Sequence, residues 1–323
     1  MKDPAATTIA IVTDTHLWQR CQPMIMADGT LQLQPWSERL LEMLIADLAA
    51  AQVDLVVHLG DQTCGGGSYA MPQDEFVATL RHIHARLHTL GVPVVALPGN
   101  HDARPGDGDL SDFHALWQYE PGLGKTVDLP HARLILLNAM GHTPEQIAAA
   151  DERDPVYGWV SIAELQRLDR ALATADGRPV LMFSHQLLAS WQVGAPWYDY
   201  FGIANAPEIL SVIERRGGVR AVIQGHAHRL NFHERRCASN HSCVFGVMPA
   251  LIEYPVAWVQ LTLTATQGRC VLQRLSLEQI ANLSAQSGGG QSWRQGEPAW
   301  WDYRFSRCND TKISITLFDQ LPE

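Results

Sequence analysis

The stretch Gly218-Val219-Arg220-Ala221-Val222-Ile223-Gln224-Gly225-His226-Ala227-His228 carries the reading of this chain. Its mostly apolar run fits a buried strand, and the glycine that follows marks where the strand stops. Two histidines one residue apart at that stop offer two imidazoles to a common point, which is cation-site chemistry. Four earlier runs end in the same manner. Thr8-Ile9-Ala10-Ile11-Val12-Thr13 leads into Asp14-Thr15-His16, and Val53-Asp54-Leu55-Val56-Val57-His58-Leu59 leads into Gly60-Asp61. Val92-Pro93-Val94-Val95-Ala96-Leu97 ends in Pro98-Gly99-Asn100-His101-Asp102, and Val180-Leu181-Met182-Phe183 ends in Ser184-His185. In open α/β sheets, ligands bind outside the carboxyl ends of the strands, so these distant residues are expected to share one rim. Singly, each ending has a plainer reading as a turn or a hydrogen-bonded core histidine. Five in succession favour a metal centre.

Between the runs the apolar spacing turns helical. Ser37 reads as the cap of a helix over residues 37–50, with Leu40, Leu41, Leu44, Ile45 and Leu48 facing the core. A second helix is expected from about residue 73 to 90. A third should follow the capping-box spacing of Ser161 and Glu164, and a fourth should open at Pro207. This alternation is an α/β signature. After His228 the runs 242–247, 257–263 and 270–275 are strand-like with no long helix between them. They suit antiparallel pairing beside the same core or in a second sheet. From Glu278 the core pattern fades, and residues 284–292 read as a flexible link. Trp293, Trp300, Trp301, Tyr303 and Phe305 suggest a tail that docks on its own domain or on a partner, so an oligomer through the C-terminal segment stays open. The expected organisation is one domain over residues 1–277 and a linker with an aromatic-rich tail over 278–323.

Composition narrows the function classes. The 323 residues carry a formal net charge of -10, which argues against gripping a polymeric nucleic acid. Bound divalent cations would reverse the local sign, so phosphorylated small molecules stay open as substrates. No apolar run is long enough to span a bilayer, and no hydrophobic secretory core precedes the first strand-like run, so no membrane partner and a cytoplasmic location are expected. Six cysteines without a C-x-x-C pair exclude a stapled secreted scaffold. Cys237 and Cys243 could meet across a hairpin, but unpaired thiols are the preferred reading. Cys64 reads as a small packing residue or as a group that tunes the site.

A set of carboxylate, imidazole and amide ligands can hold two cations, with Asp61 as the natural bridge. Two such metals would bind a hydroxide between them for in-line attack on phosphorus. The ligand mixture suits Mn, Fe or Zn, as divalent or mixed-valence ions.

In order, the D-x-H, GD, GNHD, H and GHxH elements at residues 14–16, 60–61, 99–102, 185 and 225–228 resemble those of the calcineurin-like metallophosphoesterase superfamily. The resemblance implies a four-layer αββα sandwich of two mixed β-sheets flanked by helices, with a dinuclear centre at the strand ends. By that resemblance Asp14, His16, Asp61 and His228 bind one metal, and Asp61, Asn100, His185 and His226 bind the other. His101 would serve the leaving-group oxygen as acid or electrostatic stabiliser, oriented by Asp102. Asp61-Gln62-Thr63-Cys64 lacks the tyrosine ligand of purple acid phosphatases, and Gly60 to Gly66 lacks the GDxVDRG stretch of protein Ser/Thr phosphatases. The compact motif set is most similar to the bacterial cyclic-nucleotide phosphodiesterase branch. It implies metal-dependent hydrolysis of a small phosphodiester. A phosphomonoesterase or nucleotide pyrophosphohydrolase is the alternative within the enzyme class, and a non-catalytic metal-stabilised binding module is the alternative outside it.

Substrate preference is expected in loops above the cations. Trp191, Gln192, Trp197, Tyr198, Asp199 and Tyr200 would stack on a base or read its polar edges, or else anchor a wide loop. Trp18 and Trp36 invite the same pair of readings, within a segment that reads as a site-rim loop or a surface excursion. Arg104 lies close enough in sequence to Asn100 to favour an anionic substrate. Asn231 and His233 are further phosphate candidates, and His58 is either a supporting residue of the site or strand packing.

Overall fold

The computed structural model describes residues 6–27, 29–189, 199–238, 241–288 and 302–306. The chain opens with β1 (Thr7–Val12), the short β2 (Met24–Ile25) and β3 (Leu31–Gln32), α1 (Ser37–Ala50), β4 (Leu55–His58), α2 (Gln73–His88) and β5 (Val94–Ala96). Next come α3 (Ser111–Trp117), β6 (Lys125–Asp128), β7 (Arg133–Leu136), α4 (Pro144–Ala149), α5 (Ile162–Ala173), β8 (Val180–Ser184), α6 (Ala206–Arg216) and β9 (Val219–Gln224). The last elements are β10 (Asn231–Ala238), β11 (His241–Val247), β12 (Ala257–Leu263), β13 (Gln267–Arg274), α7 (Glu278–Ala285) and β14 (Asp302–Ser306).

Two six-stranded sheets result, ordered β14-β13-β12-β1-β4-β5 and β10-β11-β9-β8-β7-β6, with β2-β3 as a separate pair. Parallel β1, β4 and β5 form one half of the first sheet, and β12, β13 and β14 extend it antiparallel. In the second sheet β7, β8 and β9 run parallel, and β6 closes one edge antiparallel. β11 departs from the antiparallel expectation on one side. The β10–β11 hairpin reverses the chain, so β11 lies parallel to β9 and antiparallel to β10.

Strand alternation sorts the core into layers. Ile9 and Ile11 of β1 point between the sheets, where they meet Leu134, Leu181, Phe183 and Ile223. Ala10 and Val12 point the other way, toward Leu40 and Leu44 of α1, Phe76 of α2 and Phe113 of α3. On the far side, Ile135, Met182 and Val222 pack on Leu168 of α5 and Ile209 and Ile213 of α6. Burial of both strand faces is why these strands read as near-continuous apolar runs. The layers therefore run helix, sheet, sheet, helix, as the αββα expectation has it.

Local details differ from the expected caps. Ser37 lies inside α1 and accepts the Trp18 N–H at 3.2 Å rather than capping its helix. Ser161 caps α5 by accepting the Glu164 N–H, but the Glu164 carboxylate does not reach back. It is buried, and it accepts the backbone N–H groups of Gly124 and Asn138, each at 3.0 Å, and the Arg167 guanidinium. A stronger set of donors outcompetes the capping box.

The packed body also extends past residue 277. α7 buries Ala281, Ser284 and Ala285, and Ser284 Oγ accepts the Tyr254 N–H at 2.9 Å. The flexible-link reading thus fails for residues 284–287, because the serines there cap and bridge backbone groups instead of remaining solvated. The backbone of β14 pairs with β13, so this part of the tail docks on its own domain; Trp293, Trp300 and Trp301 lie outside the described residues. Among the described residues, no helix is long and apolar enough to cross a membrane.

Candidate metal centre

The five strand-end motifs converge, but on a rim shared by two sheets rather than one. Asp14 and His16 follow β1, Asp61 follows β4, and Asn100 follows β5, all in the first sheet; His185 follows β8, and His226 and His228 follow β9, in the second. Beyond the last residues of β1 and β4 the backbones stay joined. The N–H of Asp14 donates to Gly60 O at 3.0 Å and that of His16 to Asp61 O at 3.0 Å. Across the sheets, the His226 N–H donates to Asp14 Oδ2 at 3.1 Å.

Turning these side chains inward strains the backbone. Asp14, His16, Asp61, His226 and His228 all have φ between 40° and 65°. Non-glycine residues held in this left-handed region cost about 1–3 kcal/mol each and persist where the surroundings fix them, often at functional sites. Gly99 is required by close approach: a Cβ there would collide with the Asp61 carboxylate and lie 2.6 Å from the Asp61 nitrogen.

Three sets of donor atoms lie within 4.8 Å of one another: Asp14, His16 and His228; Asp61, His185 and His226; and His16, Asp61 and His101. His228 Nε2 stands 3.3 Å from Asp14 Oδ1 and 3.3 Å from His16 Nε2. His185 Nε2 is 3.2 Å from Asp61 Oδ2, and His16 Nε2 approaches the same oxygen at 3.7 Å. Asp61 therefore belongs to both ends of the cluster. Asn100 is fully buried with neither amide atom hydrogen-bonded.

The hydrogen bonds on the far sides of the rings fix which nitrogen faces inward. His185 Nδ1 donates to Leu59 O at 3.1 Å, His226 Nε2 to Tyr200 O at 2.8 Å, and His228 Nδ1 to Glu253 at 3.1 Å. Carbonyl and carboxylate oxygens only accept, so each of these nitrogens carries a proton, and in the neutral ring the other keeps its lone pair. The inward nitrogens of His185 and His228 face carboxylate oxygens at contact distance, so positive charge is needed there, supplied by a second proton on the ring or by a cation.

Electrostatics point the same way. Burial works against the cationic form of His228, but Glu253 and Asp14 outweigh it and hold its pKa well above the ordinary value. For His185, burial is likewise outweighed by Asp61 and the pKa is raised. Burial is the largest influence on His16 and His226, and it lowers both to about 3, so they stay neutral donors. Unpartnered buried donors, inward lone pairs and carboxylates that draw positive charge fit divalent cations held by oxygen and nitrogen.

The comparisons agree with this geometry. The family model for calcineurin-like phosphoesterases matches residues 7–230, which includes all five strand-end motifs. The chain belongs to the calcineurin-like phosphoesterases. It is 26% identical over 244 residues to the 3',5'-cyclic adenosine monophosphate phosphodiesterase CpdA of Escherichia coli (strain K12), spanning 74% of this chain and 78% of that protein. A 3',5'-cyclic-nucleotide phosphodiesterase of Nostoc sp. is also 26% identical, over 71% of this chain and 74% of its own length. In fold, the chain is similar to a dimetal phosphatase from Danio rerio, with a TM-score of 0.65, 19% identity and coverage of 84% of this chain and 96% of that one.

Several residues of this calcineurin-like phosphoesterase support the cluster without belonging to the motifs. Glu253, 2% exposed, pairs with His228 and accepts Gln32 Nε2 at 3.2 Å; Gln32 in turn accepts the Tyr69 hydroxyl at 2.9 Å. The Tyr69 ring packs edge-on against His101, centroids 4.6 Å apart. Nothing local in the sequence marks these three. Glu253 is brought in by backbone contacts of its turn, where Ile252 N–H donates to Asp14 O at 3.3 Å. His58 proves to be a supporting residue: its ring accepts the Gly60 N–H at 3.2 Å and its other nitrogen meets Thr15 Oγ1 at 3.3 Å, tying the first two motifs together.

Other expectations resolve differently. Asp102 does not orient the His101 ring. Its two carboxylate oxygens accept the Gln62 and Gly99 N–H groups at 2.9 and 3.0 Å, while His101 Nδ1 donates to Gly65 O at 2.9 Å. Arg104 is turned into a local acid cluster of Asp107, Asp109 and Asp112 and does not line the cavity beside the donors. Trp18 donates to Glu75 at 2.8 Å and Trp36 packs on the core, so both are anchors. His233, in β10, stacks on Phe245 of β11. Cys64 is buried, which pushes its thiol pKa well up and favours the packing reading.

A cavity of about 630 Å³ opens above the donors. Of the aromatic-loop candidates, Tyr200 lines it and Asp199 is exposed and does not, while Trp191, Gln192, Trp197 and Tyr198 lie outside the described residues.

Proposed function

We propose that this phosphoesterase hydrolyses a small phosphodiester at a two-metal centre. The observation that carries the reading is that Asp61 Oδ2 lies 3.7 Å from His16 Nε2 of the first sheet and 3.2 Å from His185 Nε2 of the second. In this reading Asp14, His16, Asp61 and His228 hold one cation, and Asp61, Asn100, His185 and His226 the other. When bound, the cations lower the pKa of a water and draw charge off the phosphoryl oxygens. Manganese, iron and zinc all suit such donors.

The protein's own groups supply the rest. Asp61 Oδ1 accepts the His101 backbone N–H at 2.8 Å, and Gly65 O accepts from His101 Nδ1, so Nε2 is left toward the cavity, where the doubly protonated ring would give its Nε2 proton to a leaving-group oxygen. Asp102 keeps the Asp61 and Asn100 loops in register through its two backbone acceptor contacts. Glu253 fixes the ring of His228. Among the described residues that line the cavity, Arg229 is the one arginine or lysine, which suits a diester monoanion better than a monoester dianion. The two similar cyclic-nucleotide phosphodiesterases support the same choice.

The test is a substrate panel on metal-reconstituted enzyme: 3',5'-cyclic nucleotides, bis(para-nitrophenyl) phosphate and para-nitrophenyl phosphate. Higher kcat/KM on diesters is expected. Equal or greater efficiency on the monoester overturns the diesterase assignment.

A further inference from the structure

The segment between the first and second motifs forms a built wall of the cavity. Strand alternation in β2 sends Met24 and Met26 to one face, and both line the cavity, whereas Ile25 between them is 75% exposed to solvent. A tight turn closes the hairpin through Met26 N–H to Thr30 O and Gly29 N–H to Met26 O, both 2.8 Å. Its second strand is anchored. Gln32, paired with Met24 across the hairpin, donates to Glu253; Leu31 N–H donates to Ser287 Oγ at 3.1 Å; and Leu33 N–H donates to Ile252 O at 2.9 Å. The wall is thus tied to α7 on one side and, through Glu253, to His228 on the other.

The two methionines of this wall offer a phosphate no charge and no hydrogen-bond donor. The donor floor accounts for the phosphoryl group and cations, yet the cavity is of the size that holds a whole small ligand. Exposed apolar surface at a polar site marks what the site must desolvate. Phe201 adds an apolar surface at the other end, its ring 6.0 Å from His226. Methionine is the flexible, polarizable side chain suited to an aromatic ring, whose edge its sulfur contacts favourably.

We propose that the Met24–Met26 hairpin is the specificity element of the site and packs against an aromatic substituent of the phosphate ester, a nucleobase or an aryl group. This deepens the phosphodiesterase reading and rests on it for the reaction but not for binding. The test therefore uses non-hydrolysable probes on the metal-reconstituted protein, titrated by calorimetry: methylphosphonate, phenylphosphonate and the phosphonate analogue of adenosine 5'-phosphate.

Wild type is expected to bind the aromatic probes about tenfold or more tighter than methylphosphonate. The M24A/M26A variant should lose most of that preference while holding methylphosphonate within about twofold. The single variant M26A, altered at a side chain already 38% exposed, should lose part of it without disturbing the fold. A preference for the adenosine probe alone assigns the wall to a nucleobase; a preference for both assigns it to aromatic rings in general. Equal affinity of wild type for all three probes, or variants that weaken methylphosphonate as much as the others, overturns the proposal. Failure of wild type to cleave diesters would overturn the reaction and leave this binding comparison standing.

Discussion

His101 and Glu253 both touch the centre, and they separate by what their loss removes. His101 Nδ1 is held by Gly65 O and its ring borders the cavity, so H101A should lower kcat by about a hundred- to ten-thousand-fold. Metal content by plasma mass spectrometry should stay at the wild-type level; loss of both ions would make His101 a ligand. Glu253 instead holds His228 from behind, and E253A should weaken metal affinity by about 10–100-fold, read by competition with a chromophoric chelator. E253Q, which keeps an acceptor oxygen for the His228 N–H, should fall between. The two residues also mark how far the sequence reaches. His101 sits in a strand-end motif whose neighbours declare it, whereas Glu253 lies in an apolar turn, and its contact with residue 228 depends on a backbone bond to Asp14. Arg104 was misleading for the converse reason: proximity in sequence to Asn100 says nothing about direction, and three aspartates settle it.

At the level of elements, the periodicity of apolar residues located the central strands and α1, α2, α5 and α6, because both patterns are written by burial. It could not allot strands to sheets. Parallel strands buried on both faces look alike whichever sheet they join, so the division of the rim between β1, β4 and β5 and β8 and β9 was not legible. Nor was α7, whose serines act as backbone partners rather than as linker residues. Glu164 shows such a local signal diverted to a tertiary task. Its carboxylate secures the N-terminal turn of α5 to the backbone flanking β6 and β7, and to Arg167. E164A leaves the buried Asn138 N–H and the part-buried Gly124 N–H without their acceptor, while Arg167 keeps Leu136 O and Thr126 Oγ1, and should lower the unfolding free energy by about 2–4 kcal/mol in urea titration. Activity per folded molecule should be unchanged, since the residue is remote from the donor cluster.

For the whole molecule, the centre is a load on the fold as well as its reaction site. Five residues stand in left-handed backbone where the two sheets meet, and two of them, Asp14 and Asp61, are buried carboxylates. A cation bound to the native state and not to the unfolded chain stabilises by about 2.7 kcal/mol at a hundred times its Kd. Exhaustive chelation should therefore lower Tm in scanning calorimetry by several degrees, and adding metal back should restore it. An unchanged Tm would mean that the native state holds no ions through these residues.

The division of donors between two sheets also sets a timetable for synthesis. A nascent polypeptide that has emerged as far as α3 presents Asp14, His16, Asp61 and Asn100 but has yet to make His185, His226 or His228. Four of the seven donors then stand exposed while the ribosome is still at work, and the first sheet itself still lacks β12, β13 and β14. On the proposed ligand set, loading of both cations waits until the chain has been made past β9, because His226 and His228 follow that strand.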